Sequence, residues 1–161
     1  MKGQTWIEFI IATIIFLLSI SFIFITVSGD LKEEAQKSEQ QTACLKTYEL
    51  ENILRKAGEP TNWTSNFTVF GLSENNSKPL VISNSKWQAA KNLGFANVSQ
   101  NSTPSQSWEI SYTAWYANGT SINDSFGAYP PPNALICTTK VMGVLNLTTE
   151  KLLAEFELTA W

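Results

Sequence analysis

The first hydrophobic segment of the chain is long enough to cross a membrane as a helix. No charged side chain occurs between Phe9 and Ser28. At about 1.5 Å per residue, a helix of this length spans roughly 30 Å, which is the thickness of a bilayer core. Backbone groups in lipid must be hydrogen-bonded within the segment, so a helix is predicted. Lys2, on the short side, favours a cytoplasmic N-terminus and export of the chain from Asp30 onward.

A second pattern, between Asp30 and Ala57, has helical spacing. Small and apolar positions recur every three or four residues and form one stripe: Ala43, Thr47, Leu50, Leu54 and Ala57. Charged residues take the other faces, which are expected to be solvated. Gly58-Glu59-Pro60 joins a flexible residue to a helix breaker and ends the pattern. The sequence therefore predicts one helix over residues 4–57, apolar over 4–28 and amphipathic over 29–57.

After Pro60 the pattern changes to the two-residue period of β-strands. Three segments are predicted as strands of an antiparallel meander: Trp108–Tyr116, Leu135–Leu147 and Leu152–Ala160. Asn118-Gly119 is typical of a hairpin turn, and a short helix is predicted over Lys86–Leu93. The expected fold is α+β, a long N-terminal hydrophobic helix followed by a small antiparallel β-rich head over residues 58–161.

Composition argues against several functions. The chain has no histidine, which removes the commonest general base and metal ligand. Two cysteines without histidine are too few for a metal site. The net charge is -3, and the basic residues are scattered, so no contact with nucleic acid is predicted. We expect a protein that is not an enzyme and needs no cofactor.

The carboxylate of Glu8 lies at the start of the apolar segment, where an unpaired charge costs on the order of a few kcal/mol. One interpretation is that Glu8 lies near the helix end and reaches the lipid headgroups. A second interpretation rests on the segment Lys2-Gly3-Gln4-Thr5-Trp6-Ile7-Glu8. This segment resembles the class III signal peptide of archaeal prepilins, in which a prepilin peptidase cuts after a short basic leader that ends in a small residue.

The resemblance implies a cut between Gly3 and Gln4, with residues 1–3 as the leader. Glu8 then becomes the fifth mature residue, where pilin-like proteins carry a glutamate. In a filament core it would neutralise the new amino group on Gln4 of a neighbouring subunit and set the axial register. Trp6 occupies the third mature position, where the family usually has serine. The stretch Gly58-Glu59-Pro60-Thr61-Asn62-Trp63, with Gly71-Leu72 after it, resembles a motif that follows the first helix in archaeal pilin-like proteins, although a helix stop and a core tryptophan explain it equally well.

By resemblance, the chain is a structural subunit of an archaeal type IV pilus-like filament, an adhesion pilin or minor pilin. Implied partners are identical or related pilin subunits, the prepilin peptidase, an assembly ATPase and a membrane platform protein. The precursor would lie in the cell membrane and the mature subunit in an extracellular filament. The alternatives are a membrane-anchored surface glycoprotein or ligand-binding module that never polymerises, and a domain secreted after signal peptidase cleavage before Asp30.

The two cysteines and the asparagines carry the remaining predictions. A disulfide between Cys44 and Cys137 is the economical interpretation, since it would join the helix to the sheet, with two buried thiols as the alternative. Eight of the thirteen asparagines begin an Asn-x-Ser/Thr sequon, against about three expected from composition. The predicted N-glycosylation sites are Asn62, Asn66, Asn75, Asn97, Asn101, Asn118, Asn123 and Asn146. A polar surface that happens to be rich in Asn and Thr is the alternative explanation.

Aromatic residues in the second half of the chain allow two interpretations. They are Trp63, Trp87, Trp108, Tyr112, Trp115, Tyr116, Tyr129 and Trp161. These side chains are suited to stacking on sugars at an adhesion surface, but most are expected to belong to the core.

Overall fold

The computed structural model describes residues 2–100, 102, 104 and 107–161, with side chains from Trp6 onward. Helix α1 runs over Lys2–Arg55 and ends two residues before the predicted Ala57. Gly58 follows in the left-handed region, with φ of 77°. The chain divides into two compact units, one through Ser38 and the other Glu39–Trp161. The fold is α+β, as predicted: a long apolar N-terminal helix followed by a small head with a mostly antiparallel sheet.

The head is built from short elements that follow α1. They are β1 (Val81–Ser83), α2 (Asn84–Leu93), α3 (Phe95–Gln100), β2 (Trp108–Trp115), β3 (Ser121–Gly127), β4 (Cys137–Asn146) and β5 (Lys151–Ala160). In the described part of the head, five strands form one sheet in the order β1-β4-β5-β2-β3. The predicted short helix is confirmed as α2. The Asn118-Gly119 turn is also confirmed, since it joins β2 to β3, and the Tyr116 N–H donates to the Thr120 carbonyl at 2.8 Å.

The predicted meander is wrong in its strand order. Its three strands are present as β2, β4 and β5, but β5 lies between β2 and β4 and pairs antiparallel with both. The physical reason is that β3 takes one edge of β2 and β1 takes one edge of β4, so β5 can pair with both strands only between them. A second departure is β1, which pairs parallel with β4.

The core lies between the inner face of the sheet and the helices of the head. The five residues of the predicted α1 stripe are all buried, so this prediction is confirmed. Leu50 and Leu54 of the stripe join one cluster with Ile110 of β2 and Phe156 of β5. Strand β5 alternates strictly between buried and more exposed positions, and its buried set faces this cluster.

Candidate functional site

The N-terminal part of α1 has no apolar face buried within the chain. Sixteen large apolar side chains between Trp6 and Val27 are exposed, and neighbours such as Ile10 and Ile11 are 51% and 52% exposed. Consecutive residues on a helix point to different faces, so all faces here are apolar and uncovered. Among the described residues, this is the one helix long and apolar enough to cross a membrane. Its place near the N-terminus is compatible with a membrane anchor or with a signal sequence.

Three hydroxyl groups in this segment are hydrogen-bonded within the helix itself. Thr13 and Ser19 each donate to the carbonyl four residues earlier at 2.8 Å, and Thr26 does so at 3.0 Å. A hydroxyl that is bonded within its own helix can face lipid or another helix without leaving an unsatisfied donor. The surface therefore behaves as an apolar one despite its serine and threonine residues.

Glu8 is exposed on α1, and among the side chains that the structure describes it has no basic partner. Gly3 and Gln4 lie within α1, before the first side chain that the structure describes. The predicted leader cleavage between Gly3 and Gln4, and the pairing of Glu8 with Gln4 of a neighbour, therefore remain predictions.

The structure contains the predicted disulfide between Cys44 and Cys137. The two Cα atoms are 5.0 Å apart, and the bond joins α1 to the first residue of β4 across 93 positions of sequence. One helical turn further along, the Thr47 hydroxyl lies 3.1 Å from the Thr139 hydroxyl of β4. The head half of α1 is thus attached to the sheet by a covalent bond and a neighbouring hydrogen bond.

The motif after α1 forms a compact junction. The Trp63 indole nitrogen donates to the Gly71 carbonyl at 2.9 Å, and the Trp63 ring is buried. A Cβ on Gly71 would collide with the Gly58 nitrogen and the Lys56 carbonyl. A Cβ on Gly58 would lie 2.7 Å from the Trp63 ring nitrogen. The two glycines and the tryptophan of the motif are therefore explained by close packing where the helix ends.

Most of the sequon asparagines lie at the surface of the head. Asn62, Asn66, Asn97, Asn118 and Asn123 are exposed, Asn75 and Asn146 are half-buried, and Asn101 lies outside the described residues. Two of them form turns with their own sequon residue. The Asn118 side-chain oxygen accepts from the Thr120 N–H at 2.9 Å and from its hydroxyl at 2.7 Å, and Asn75 makes the same pair with Ser77.

The aromatic residues divide between core and surface. Trp63, Trp87, Trp108 and Tyr112 are buried, as expected for core residues. Trp115 and Tyr129 are exposed, at 39% and 85%. Exposure of Trp115 follows from its place in β2, where it points to the face of the sheet opposite the core.

Lys86 is a buried polar residue that the sequence analysis missed. Its ammonium group donates to the carbonyl of Ala57 and, at 2.7 Å, to that of Ser73. Burial lowers the pKa of Lys86 from 10.5 to about 8, and the charge of Glu74 opposes this shift. Helical spacing could have identified it, because Lys86 lies three and four residues before the buried Ala89 and Ala90.

Asp124 was also missed, and it connects β3 to α2. It accepts from the Trp87 indole nitrogen at 3.0 Å and forms an ion pair with Lys91. Partial burial opposes ionisation of Asp124, but the hydrogen bonds from Lys91 and Trp87 outweigh it and hold the pKa below its usual value. The carboxylate has a structural role, since both of its side-chain partners belong to the helix that covers the sheet.

No family model, curated protein or solved structure matches this chain. Among the described residues, no group of three or more His, Cys, Asp or Glu side chains is placed to hold a metal ion. The functional interpretation therefore depends on the exposed apolar helix, Glu8 at its start and the surface of the disulfide-linked head.

Proposed function

We propose that this chain is a structural subunit of an extracellular filament of the archaeal type IV pilus kind, used for surface adhesion. The observation that carries the proposal is the apolar segment of α1, exposed on every face and preceded by the single carboxylate Glu8. The resemblance of Lys2–Glu8 to a class III signal peptide supports it. So does the continuation of the same helix into a head that is closed by a disulfide.

The exposed segment needs an apolar environment. Burying a side chain such as Ile, Leu or Phe stabilises by about 1.5–3 kcal/mol, and sixteen such residues are uncovered here. Lipid supplies that environment before assembly, and neighbouring helices supply it in a filament core. One surface thus serves both states, which is what a membrane-held precursor of a filament requires.

Glu8 gives the apolar core a specific register. A carboxylate in such a core is costly unless it meets a positive group, and none lies beside it among the described side chains. In the proposed filament, its partner is the amino group of Gln4 on an adjacent subunit, released when prepilin peptidase cuts after Gly3. Axial positions that leave Glu8 unpaired are disfavoured, so the pair selects one stagger between subunits.

Each region of the chain has its own location and partners in the proposed filament. The precursor resides in the cell membrane, and an assembly ATPase with a platform protein moves it into the filament. Identical or related subunits are its main partners. The head, with its surface sequons, faces the medium and carries the glycosylated outer surface.

The test is to shear surface filaments from cells that produce the chain, and to label them with antibodies raised against the head. We expect antibody along the filament and peptides of this chain in the sheared fraction. If the chain is confined to the membrane fraction while other filaments are released normally, the proposal fails and the non-polymerising surface glycoprotein is favoured.

A further inference from the structure

The outer face of the sheet, the one turned away from the core, carries an exposed apolar row at one end. Val144, Leu153 and Trp115 lie side by side on β4, β5 and β2, and Ser121 of β3 completes the row. Leu153 is 57% exposed and Trp115 is 39% exposed. Exposed apolar side chains that lie side by side, unlike single scattered ones, can mark a surface that another group covers.

Two sequon asparagines lie diagonally next to this row. Asn123 is two residues beyond Ser121 on β3 and is paired with Thr113, so it points to the same face as Trp115. Asn146 is two residues beyond Val144 on β4 and is paired with Lys151. Diagonal neighbours on one sheet face are roughly 7–8 Å apart, within reach of long side chains. A sugar on either asparagine would begin beside the apolar row.

The other end of the same face has a different character. Its last two rows contain polar and charged residues: Lys140, Glu157 and Ser111 in one, and Thr138, Thr159 and Glu109 in the next. Neither of these rows contains a sequon asparagine. Sequon asparagines and exposed apolar side chains therefore occur together on this face. This suggests that sugars attached to the asparagines cover the apolar row.

We propose that Asn123 and Asn146 carry N-linked glycans, and that the sugar on Asn123 packs over the Trp115 ring. Pyranose rings present C–H groups that carry a slight positive charge, and the face of an indole ring is negative. The glycan is also bulky and hydrophilic, so it would cover the row and keep other proteins off it. This inference rests on the proposed export of the head.

The attachment is a balanced group transfer from a lipid-phosphate-linked oligosaccharide. A bond forms between the side-chain nitrogen of Asn123 and the anomeric carbon of the first sugar. The bond between that carbon and the phosphate oxygen breaks, and the lipid phosphate leaves with the electron pair. The asparagine nitrogen loses one proton, and nothing is oxidised or reduced.

The test uses the full chain, purified unassembled in detergent from cells that export it. Ser125→Ala removes the Asn123 sequon and keeps the asparagine, and Thr64→Ala is the matched control because it removes the exposed Asn62 sequon. Hydroxyl-radical oxidation of Trp115 is measured by peptide mass spectrometry. Trp108 in the same strand is fully buried and serves as the internal reference. We expect Trp115 oxidation to rise severalfold in Ser125→Ala, to stay unchanged in Thr64→Ala, and glycopeptides to contain Asn123 and Asn146.

Three results would overturn this inference. Asn123 or Asn146 could be found without glycan in the exported chain. Trp115 could be oxidised equally in the glycosylated chain and in Ser125→Ala. Trp115 could be oxidised freely in the unassembled chain but protected in sheared filaments treated in the same way, which would make the row an interface between subunits. Because the measurement uses unassembled chains, absence of filaments would count against the proposed function and leave this inference standing.

Discussion

At the scale of single residues, the side chains most informative about function and folding are charged ones in apolar surroundings. Glu8 lies at the start of an exposed apolar helix, while Lys86 is enclosed in the head. Lys86 is held by two backbone carbonyls, so its partners are within the chain. For Glu8 we propose a partner on another chain. The two residues therefore call for different experiments, one on assembly and one on folding.

Glu8→Ala should reduce the yield of filaments by more than about tenfold, because breaking a buried ion pair costs well over the 1.4 kcal/mol that a tenfold change requires. The chain should still insert in the membrane, since alanine makes the helix less polar. The measurement compares sheared filaments with the membrane pool. Glu33→Ala is the control, because Glu33 pairs with Lys37 on an exposed part of α1. Equal filament yields for wild type and Glu8→Ala would remove Glu8 from the assembly mechanism.

Lys86→Met should destabilise the head at pH 7 by about 1–3 kcal/mol, because the Ala57 and Ser73 carbonyls lose their buried donor. The pH dependence gives a sharper test. The unfolded chain holds this proton up to pH 10.5, while the folded chain releases it near pH 8. The free energy of unfolding contributed by Lys86 therefore rises with pH between these values.

Thermal unfolding of the full chain in detergent, followed by near-ultraviolet circular dichroism from pH 7 to 9.5, measures this effect. The gap between the wild type and Lys86→Met should widen as the pH rises, because only the wild type gains stability from release of the proton. Lys91→Met is the control, since Lys91 is exposed and its partner is a carboxylate. A gap that is constant over this range would show that Lys86 titrates normally in the folded chain.

At the scale of elements, the sequence was most informative where one periodic pattern ran over many residues. The α1 stripe and the alternation of β5 predicted both the element and its buried face, since a long pattern leaves few other solutions. Strand β3 was missed because Ser121–Gly127 lies at the sheet edge and has little apolar alternation. The place of β5 between β4 and β2 depends on which edges of these strands remain free once β1 and β3 have paired with them. That information is not local, so no window of sequence contains it.

The candidate sites also divide into those that the sequence could predict and those that depend on the folded structure. The cysteine pair could be predicted because two cysteines allow one intramolecular pairing. The diagonal placement of Asn123 beside Trp115 could not, because it depends on the register between β2 and β3. Lys86 was missed because lysine is rarely buried, although the apolar positions after it on α2 marked its face.

Removal of the disulfide should weaken the attachment between α1 and the sheet. A closed loop of this length is worth about 4–5 kcal/mol on the chain-entropy model, so replacement of Cys44 and Cys137 by alanine should lower Tm by roughly 10 °C or more. Thermal unfolding with and without reductant measures the loss. The double variant should be insensitive to reductant, which separates the disulfide from other effects. An unchanged Tm in the reduced wild type would mean that the hydrogen bonds and core alone hold α1 in place.

At the scale of the whole molecule, the two units are suited to different environments, one apolar and one aqueous. The unit through Ser38 exposes apolar side chains on every face, while Glu39–Trp161 has a core of its own and a surface rich in sequons. Membrane anchor, secretory signal and filament core all fit such an apolar segment. They differ in where the mature chain begins.

We expect the mature chain to begin at Gln4. Cleavage there removes Lys2 and Gly3, keeps the apolar segment and makes Glu8 the fifth residue, as the filament register requires. N-terminal peptide mass spectrometry of protein from producing cells measures it. A start at Met1 would favour a simple anchor, and a start at Asp30 would contradict both membrane interpretations.

Two matched variants separate these mechanisms. Gly3→Leu should block the cut and leave precursor in the membrane. Gly29→Leu should mature normally, because a side chain at Gly29 has open space around it. Blocked maturation in Gly29→Leu alone would identify a secretory signal instead.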